Sequence, residues 1–174
     1  MKKEDTIIKQ VKADDLHFDL KNPRLVEFQG LKSEDEILNV LWKNMDIGEL
    51  VMSILASGFF ESEALYVVRE DDKYIVIEGN RRLAAIKAIL HPELVKSGGM
   101  KKFGEISEKF RKSLANAIPV IEMERRQDAW RYIGFKHVNG PAKWDSFAKA
   151  QYIALVHNEY GVALEDIASQ IGDS

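Results

Sequence analysis

The 174-residue sequence contains no cysteine, which excludes disulfide bonds, thiolate metal sites and cysteine nucleophiles. It has no apolar run near the roughly 20 residues that a membrane-spanning helix needs. Its polar start, MKKEDT, is unlike a signal peptide. We therefore expect a cytoplasmic protein with no membrane partner. The four histidines lack the paired spacing of a metal site, so no metal-binding residue is predicted.

The composition is otherwise that of an ordinary globular protein, with 45% hydrophobic and 30% charged residues. The length predicts one domain, or one domain with a small appendage. The net charge of −3 is unevenly distributed. Residues 34–78 contain eleven acidic and three basic side chains, whereas residues 79–112 contain nine basic and three acidic ones. Such polarity either focuses an anionic ligand on one face or reflects two solvated helix faces.

The stretch from Lys73 to Leu90 organises the chain. Residues 74–77 are β-branched or aromatic, which predicts a buried strand. Gly79 can adopt backbone angles that other residues avoid, so it suits the exit from this strand. Asn80 is a favourable N-cap, and the apolar residues after it have helical spacing. The stretch therefore predicts a strand, a tight turn and a helix.

Arg81 and Arg82 occupy the first turn of this helix, where the macrodipole disfavours a cation by roughly 0.3–1 kcal/mol. The placement is favourable if an anion binds the free N–H groups of the turn, because arginine adds donors to the same site. The alternative is that both arginines pair with the acidic residues upstream. These residues are Glu70, Asp71 and Asp72.

The elements around this stretch predict an α+β fold with a small sheet. Ser33 and Glu36 form a capping-box signature at the start of one helix. The remaining N-terminal elements are one or two strands within Thr6–Phe18, a helix from Asp46 to Gly58, and a hairpin of residues 65–69 and 74–77. Beyond the central helix we predict a mobile linker at 91–100, a basic helix at 103–117, a strand at 118–123 and a helix at 126–136. Pro119 favours an edge strand or the start of a strand.

The last thirty residues predict two helices. Asp145 or Ser146 caps a helix through His157, whose expected buried face consists of Phe147, Tyr152, Ile153 and Val156. After Gly161, residues 164–172 form a short helix that a glycine closes. This short helix, its glycine turn and a cap at Asp173 or Ser174 resemble the first half of a helix-turn-helix. We therefore expect a truncated protein that lacks its recognition helix.

Several motifs resemble the ParB/sulfiredoxin-like superfamily. Residues 77–85, IEGNRRLAA, are similar to its G-E-R-R-x-x-A box, with asparagine in place of glutamate. Residues 22–24, NPR, resemble its N-P-x-x-P-R opening, and residues 50–58, LVMSILASG, resemble its L-x-x-S-I-x-x-x-G helix. Residues 136–141, KHVNGP, stand where the family has E-N-x-Q-R. The resemblance runs from about residue 15 to the end.

The resemblance implies a ParB N-terminal domain over residues 1–140, with a small mixed sheet and packed helices. The start of a DNA-binding helix-turn-helix would follow over residues 141–174. Partition proteins of this family bind CTP with Mg²⁺ through the G-E-R-R box. The expected phosphate- and nucleotide-binding residues are Ser57, Gly58, Gly79, Asn80, Arg81, Arg82 and Asn139. The expected contacts to DNA phosphates come from Lys101, Lys102, Arg111 and Lys112.

The sequence also departs from the family pattern. Val138 stands where the third box has glutamate, which weakens the case for metal-assisted hydrolysis because Mg²⁺ prefers carboxylate and phosphate oxygens. We expect at most a slow nucleoside triphosphatase. Glu78 is a candidate general base, but its alternative role is an ion pair with Arg81 or Arg82. Sulfiredoxin activity is excluded, since it requires a cysteine in this box.

Three functions are compatible with the sequence. The first is a nucleotide-binding, DNA-binding partition protein or transcription regulator, which can also form a homodimer. The second is a small-molecule kinase or a nuclease on the same fold. The third is a protein-interaction module that binds no ligand.

Overall fold

The computed structural model of the protein covers residues 7–25, 27–28, 30–139 and 144–171. Within these residues the predicted α+β fold class is confirmed, with a mixed sheet and packed helices. The strands are β1 (Ile8–Val11), β2 (Leu16–Phe18), β3 (Leu65–Glu70), β4 (Lys73–Glu78) and β5 (Ile118–Met123). The α-helices are α1 (Glu34–Asn44), α2 (Ile47–Ser57), α3 (Asn80–Leu90), α4 (Glu108–Asn116), α5 (Trp130–Gly134), α6 (Ser146–Tyr160) and α7 (Leu164–Ile171).

The chain divides into two compact units. The first comprises Met1–Asp19 and Gly30–Glu122 and contains the sheet with α1–α4, while the second comprises Leu20–Gln29 and Met123–Ser174 and contains α5–α7. The domain boundary predicted between residues 140 and 141 lies outside the described residues and stays a prediction. None of the helices in the described ranges is long and apolar enough to cross a membrane.

The sheet has the strand order β1-β5-β3-β4-β2. β1 runs antiparallel to β5, β3 and β4 form an antiparallel hairpin, and β2 runs parallel to β4. The parallel register pairs Leu16 with Tyr74 and Phe18 with Val76, so the carboxyl ends of β2 and β4 lie at the same end of the sheet. The chain leaves β4 for α3 at that end, which is where the predicted phosphate-binding turn lies.

The helix α3 is the centre of the first unit, and it packs against α1, α2 and α4. Its apolar side chains are fully buried on several faces, and alanines at three positions allow neighbouring helices to approach closely. The buried residues are Leu83, Ala84, Ala85, Ile86, Ala88 and Ile89. Burying a large aliphatic side chain contributes roughly 1.5–3 kcal/mol, so the burial of this helix stabilises the first unit strongly.

Local signals predicted several elements correctly. Ser33 and Glu36 form the predicted capping box at the start of α1, and α2 ends at Gly58 as predicted. The hairpin turns at Asp71 and Asp72, which both have positive φ angles of 48° and 61°. Two such residues form the type I′ turn that matches the twist of a hairpin. Asp46 precedes α2 as predicted, but its side chain makes no capping hydrogen bond.

The predicted mobile linker at residues 91–100 is wrong. This segment forms the short 3-10 helices Pro92–Leu94 and Lys96–Gly98 and continues into a third at Lys101–Phe103. Asn39 of α1 holds this segment through two hydrogen bonds of 2.9 Å. Its Nδ2 donates to the Leu94 carbonyl, and its Oδ1 accepts from the Lys96 N–H. The backbone groups of this segment are therefore satisfied by a distant side chain, which local sequence patterns do not reveal.

Three other predicted boundaries differ from the structure. The basic helix begins at Glu108 rather than near residue 103, because Gly104 takes a φ of 70° and Ser107 is the N-cap. Pro119 is the second residue of β5, as a strand start requires, but β5 lies inside the sheet and is no edge strand. The helix predicted at residues 126–136 is divided into a 3-10 helix, α5 and a π-helix at Phe135–Asn139.

In the second unit, α6 and α7 pack on each other and the predicted buried face of α6 is partly wrong. Tyr152 and Val156 are buried, but Phe147 is 46% exposed and the small residue Ala148 is buried instead. Burial raises the pKa of the Tyr152 hydroxyl, which donates a hydrogen bond to the Trp130 carbonyl. The turn and cap predicted at 172–174 lie outside the described residues.

Candidate functional site

The turn between β4 and α3 begins with a glycine that no other residue can replace without strain. Gly79 has a φ of 101°, in the left-handed region that favours glycine. A Cβ atom at this position would lie 2.5 Å from Leu65 Cδ2 and 3.0 Å from Arg82 Nη2. The backbone therefore passes directly under two side chains, as predicted for a tight exit from the strand.

Asn80 has a structural role in this turn and is not the N-cap that the sequence predicts. Gly79 occupies the N-cap position, and Asn80 is the first residue of α3, buried to 5% exposure. Its Oδ1 accepts a hydrogen bond of 3.2 Å from the Asp19 N–H, and its Nδ2 donates one of 2.7 Å to the Val76 carbonyl. The side chain thus fastens the start of α3 to the ends of β2 and β4.

Arg82 is held by protein groups on both sides of its guanidinium. Nη2 lies 2.7 Å from Glu78 Oε2, and Nη1 lies 2.9 Å from Glu63 Oε2. Nη1 also donates to the main-chain carbonyls of Glu63 and Ala64. The predicted pairing with Glu70, Asp71 or Asp72 is wrong for this arginine, since its partners are Glu78 and Glu63. These partners engage both terminal nitrogens of the guanidinium, so Arg82 fits the phosphate-binding role poorly.

Arg81 has the opposite environment. It is half-buried on the first turn of α3, and its Nε is buried without any hydrogen-bond partner. Its side chain forms no ion pair or hydrogen bond within the part of the chain that the structure describes. Buried polar groups in proteins usually have a hydrogen-bond partner, which is a protein group, a water molecule or a bound ion. The three N–H groups at the start of α3 also have no acceptor within the helix.

Glu78 is the last residue of β4, and its side chain is buried. The predicted alternative for Glu78, an ion pair with one of the two arginines, is confirmed by its contact with Arg82. A carboxylate in this arrangement compensates a buried guanidinium. A role of Glu78 as a general base stays an untested prediction, and the ion pair makes it less favourable because proton uptake would leave Arg82 uncompensated.

The other predicted nucleotide-binding residues are only partly placed. Gly58 ends α2 with a φ of 79°, and a Cβ atom there would meet nothing within 4 Å. α2 packs against α3, but neither Ser57 nor Gly58 forms a hydrogen bond with residues 79–82 in the described ranges. Asn139 belongs to the second unit, and its side chain lies outside the described residues.

The four basic residues predicted to contact DNA have different surroundings. Lys112 pairs with Glu108 at 2.8 Å, and Lys102 Nζ lies 5.0 Å from the centre of the Phe103 ring. Lys101 and Arg111 line one cavity together. The structure therefore brings two of the four together, while their contact with DNA stays a prediction.

Sequence reasoning missed Glu63 and Asp19, which both hold the turn. Glu63 lies 19 residues before Arg82, and Asp19 lies 61 residues before Asn80. No local pattern around either residue marks it as a partner of the turn. Only the hairpin and the parallel pairing of β2 with β4 bring them there.

Comparison with known proteins gives remote similarities. No family model matches the chain, and no curated protein sequence matches it significantly. Among solved structures, it is similar to the C-terminally truncated chromosome-partitioning protein ParB from Caulobacter crescentus complexed to the centromeric parS site. The TM-score is 0.45 at 13% identity, over 95% of this chain and 65% of that one.

The same ParB complexed with CTP-gamma-S gives a TM-score of 0.42 at 16% identity, over 97% of this chain and 72% of that one. The present chain thus spans about two thirds to three quarters of the length of these structures. At these identities and TM-scores the similarities do not establish function, which has to be inferred from this chain's own residues.

Proposed function

We propose that the turn Gly79–Arg82 binds the phosphates of a nucleoside triphosphate, with CTP as the first candidate. We further propose that the protein is a ParB-like DNA-binding partition protein or transcription regulator. The observation that carries the nucleotide proposal is Arg81, a half-buried arginine without a protein partner at the positive end of a helix. A cation at this position is unfavourable for the helix alone and becomes favourable when an anion binds beside it.

The parts of the turn have different roles in this proposal. Arg81 supplies guanidinium donors, and the first N–H groups of α3 supply main-chain donors. Gly79 allows close approach of the phosphates because it has no side chain. Arg82 and Asn80 keep the turn in shape through their contacts with Glu78 and Asp19. We include Ser57, Gly58 and Asn139 as further contacts to the nucleotide, and these three rest only on the resemblance of the sequence motifs to those of ParB.

Magnesium fits this turn only through the nucleotide. The described residues contain no group of three His, Asp or Glu side chains that could hold a metal ion. The nearby carboxylate of Glu78 is engaged by Arg82. A Mg²⁺ ion would therefore be held mainly by the phosphates and by water, which is common for this cation.

The DNA-binding part of the proposal rests on the second unit. α6 ends at Tyr160 and is capped by Gly161, which has a φ of 68°, and α7 begins three residues after this glycine at Leu164. His157 Nδ1 donates a hydrogen bond of 2.9 Å to the Val162 carbonyl and so fixes the turn. We propose α7 as the first helix of a helix-turn-helix, a motif in which a short turn, often containing glycine, joins two helices.

Calorimetric titration tests the nucleotide proposal directly. Wild-type protein is titrated with CTP, ATP and GTP in the presence of Mg²⁺, alongside Arg81→Gln and the control Lys109→Gln. Lys109 is exposed, and its replacement removes the same charge from a site away from the turn. We expect Arg81→Gln to weaken binding at least about ten-fold, since a hydrogen bond to a charged group contributes about 1.5–3 kcal/mol.

The outcome is decisive in either direction. Absence of heat with all three nucleotides overturns the nucleotide proposal, and so does equal binding by wild type and Arg81→Gln. Retained binding in Lys109→Gln shows that the loss in Arg81→Gln is specific to the turn. Replacement of both arginines is less informative, because removal of Arg82 leaves Glu78 buried without its partner.

A further inference from the structure

A second concentration of cations lies away from the Gly79–Arg82 turn, in the segment that follows α3. The short 3-10 helices of this segment and the start of α4 line a cavity of about 540 Å³ that is open to solvent. This volume lies within the range of small-molecule sites in proteins, roughly 300–1,000 Å³. All of its lining residues belong to the first unit.

The cavity is lined by three cations and one carboxylate. The cations are Lys96, Lys101 and Arg111, and the carboxylate is Glu93. None of the three cations forms an ion pair among the described residues, while Glu93 lies 3.6 Å from His91 Nδ1. Arg111 Nε is buried and has no hydrogen-bond partner. The cavity therefore carries a net charge of about +2 and an unsatisfied buried donor.

The cavity wall is held in place by the rest of the fold. Asn39 fixes the Lys96 main chain from α1, and Val95 and Met100 are buried beneath the segment. The stem of Lys101 lies across Gly98, where a Cβ atom would come within 3.0 Å of its Cδ and Cε atoms. Arg111 lies in the first turn of α4. The cations thus converge on one cavity from two ordered elements.

We propose that this cavity binds the dianionic phosphate group of a small phosphate monoester. The charge decides between anion classes: a phosphate monoester carries about −1.5 to −2 at neutral pH, which matches the net charge of the lining, whereas a carboxylate carries only −1. The planar guanidinium of Arg111 suits two phosphate oxygens at once. The phosphodiesters of DNA carry a single charge each and match this cavity less well.

Amide NMR titration of the whole chain tests the proposal, with inorganic phosphate and then glycerol phosphate as probes. Sodium acetate and sodium chloride at the same ionic strength, and a short DNA duplex, are titrated for comparison. The variants are Arg111→Gln, Lys101→Gln and the matched control Lys109→Gln, which lies on the same helix as Arg111 but does not line the cavity. Arg81→Gln separates this site from the nucleotide turn.

We expect saturable shifts of amides in residues 92–111 with both phosphates, weakened at least about ten-fold by Arg111→Gln. Binding should be kept in Lys109→Gln and in Arg81→Gln, whether or not the turn binds a nucleotide. Equal shifts with chloride or acetate overturn the proposal, because they show either ionic screening or binding that does not discriminate between anions. Tighter binding of the DNA duplex at the same amides, or unchanged phosphate binding in Arg111→Gln, also overturns it.

Discussion

Arg82→Ala is expected to destabilise the protein strongly, because it removes one partner of a buried ion pair. The Glu78 side chain is 3% exposed and that of Arg82 is 12% exposed. Removing one partner of such a pair typically costs about 3–5 kcal/mol, since the other charge stays buried without compensation. The second bridge, to Glu63, adds little because the Glu63 side chain is 56% exposed.

Thermal unfolding followed by circular dichroism measures this effect. For a chain of this size each kcal/mol changes Tm by about 2–4 °C, so Arg82→Ala should lower Tm by about 6–20 °C. Arg81→Ala is the matched control, because it removes the neighbouring arginine, which has no protein partner. We expect it to change stability by only about 0.5 kcal/mol or less.

A compensating variant distinguishes the ion pair from general packing. Glu78→Gln combined with Arg82→Met removes both charges, and replacing both partners of a buried pair is often close to neutral. It should recover a large part of the loss seen in Arg82→Ala. A Tm for Arg82→Ala that equals that of Arg81→Ala would refute the reasoning, as would equal losses in the single and double variants.

Further predictions concern the turn, hydrolysis and DNA. Gly79→Ala should lower the free energy of unfolding in urea by about 1–3 kcal/mol through backbone strain, and further through the clash of the new Cβ atom with Leu65. Gly161→Ala is the control for strain alone, because Gly161 has a positive φ but open space around it. Nucleotide hydrolysis should be slow because Val138 supplies no carboxylate, and phosphate release at the rate of a dedicated nucleoside triphosphatase would contradict this. DNA binding by this chain should be weak, independent of sequence and reduced by salt, because the predicted contacts of its basic residues are to phosphates and not to base edges. A band shift that stays tight and sequence-specific at high salt would rule this out.

Features determined by neighbours in the chain could be predicted from the sequence. The strand–turn–helix around Gly79, the capping box of Ser33 and Glu36, and the hairpin turn at Asp71 and Asp72 each depend on residues within about four positions. Main-chain preferences and i to i+4 contacts act over that distance, so the pattern carries the information. The ion pair of Glu78 and Arg82 is also a contact between residues four positions apart. The sequence predicts it as one of two roles of Glu78, the other being a general base.

Tertiary structure alone decided how the two arginines differ. Arg81 and Arg82 are adjacent and chemically identical, yet Glu63 binds only Arg82, because the hairpin brings residues 63 and 82 together. In the same way, Asn39 turns a predicted mobile linker into an ordered wall, and Lys96, Lys101 and Arg111 converge on one cavity. These partners are separated by 5 to 57 residues. Their contacts depend on strand register and helix packing, which composition and periodicity do not encode.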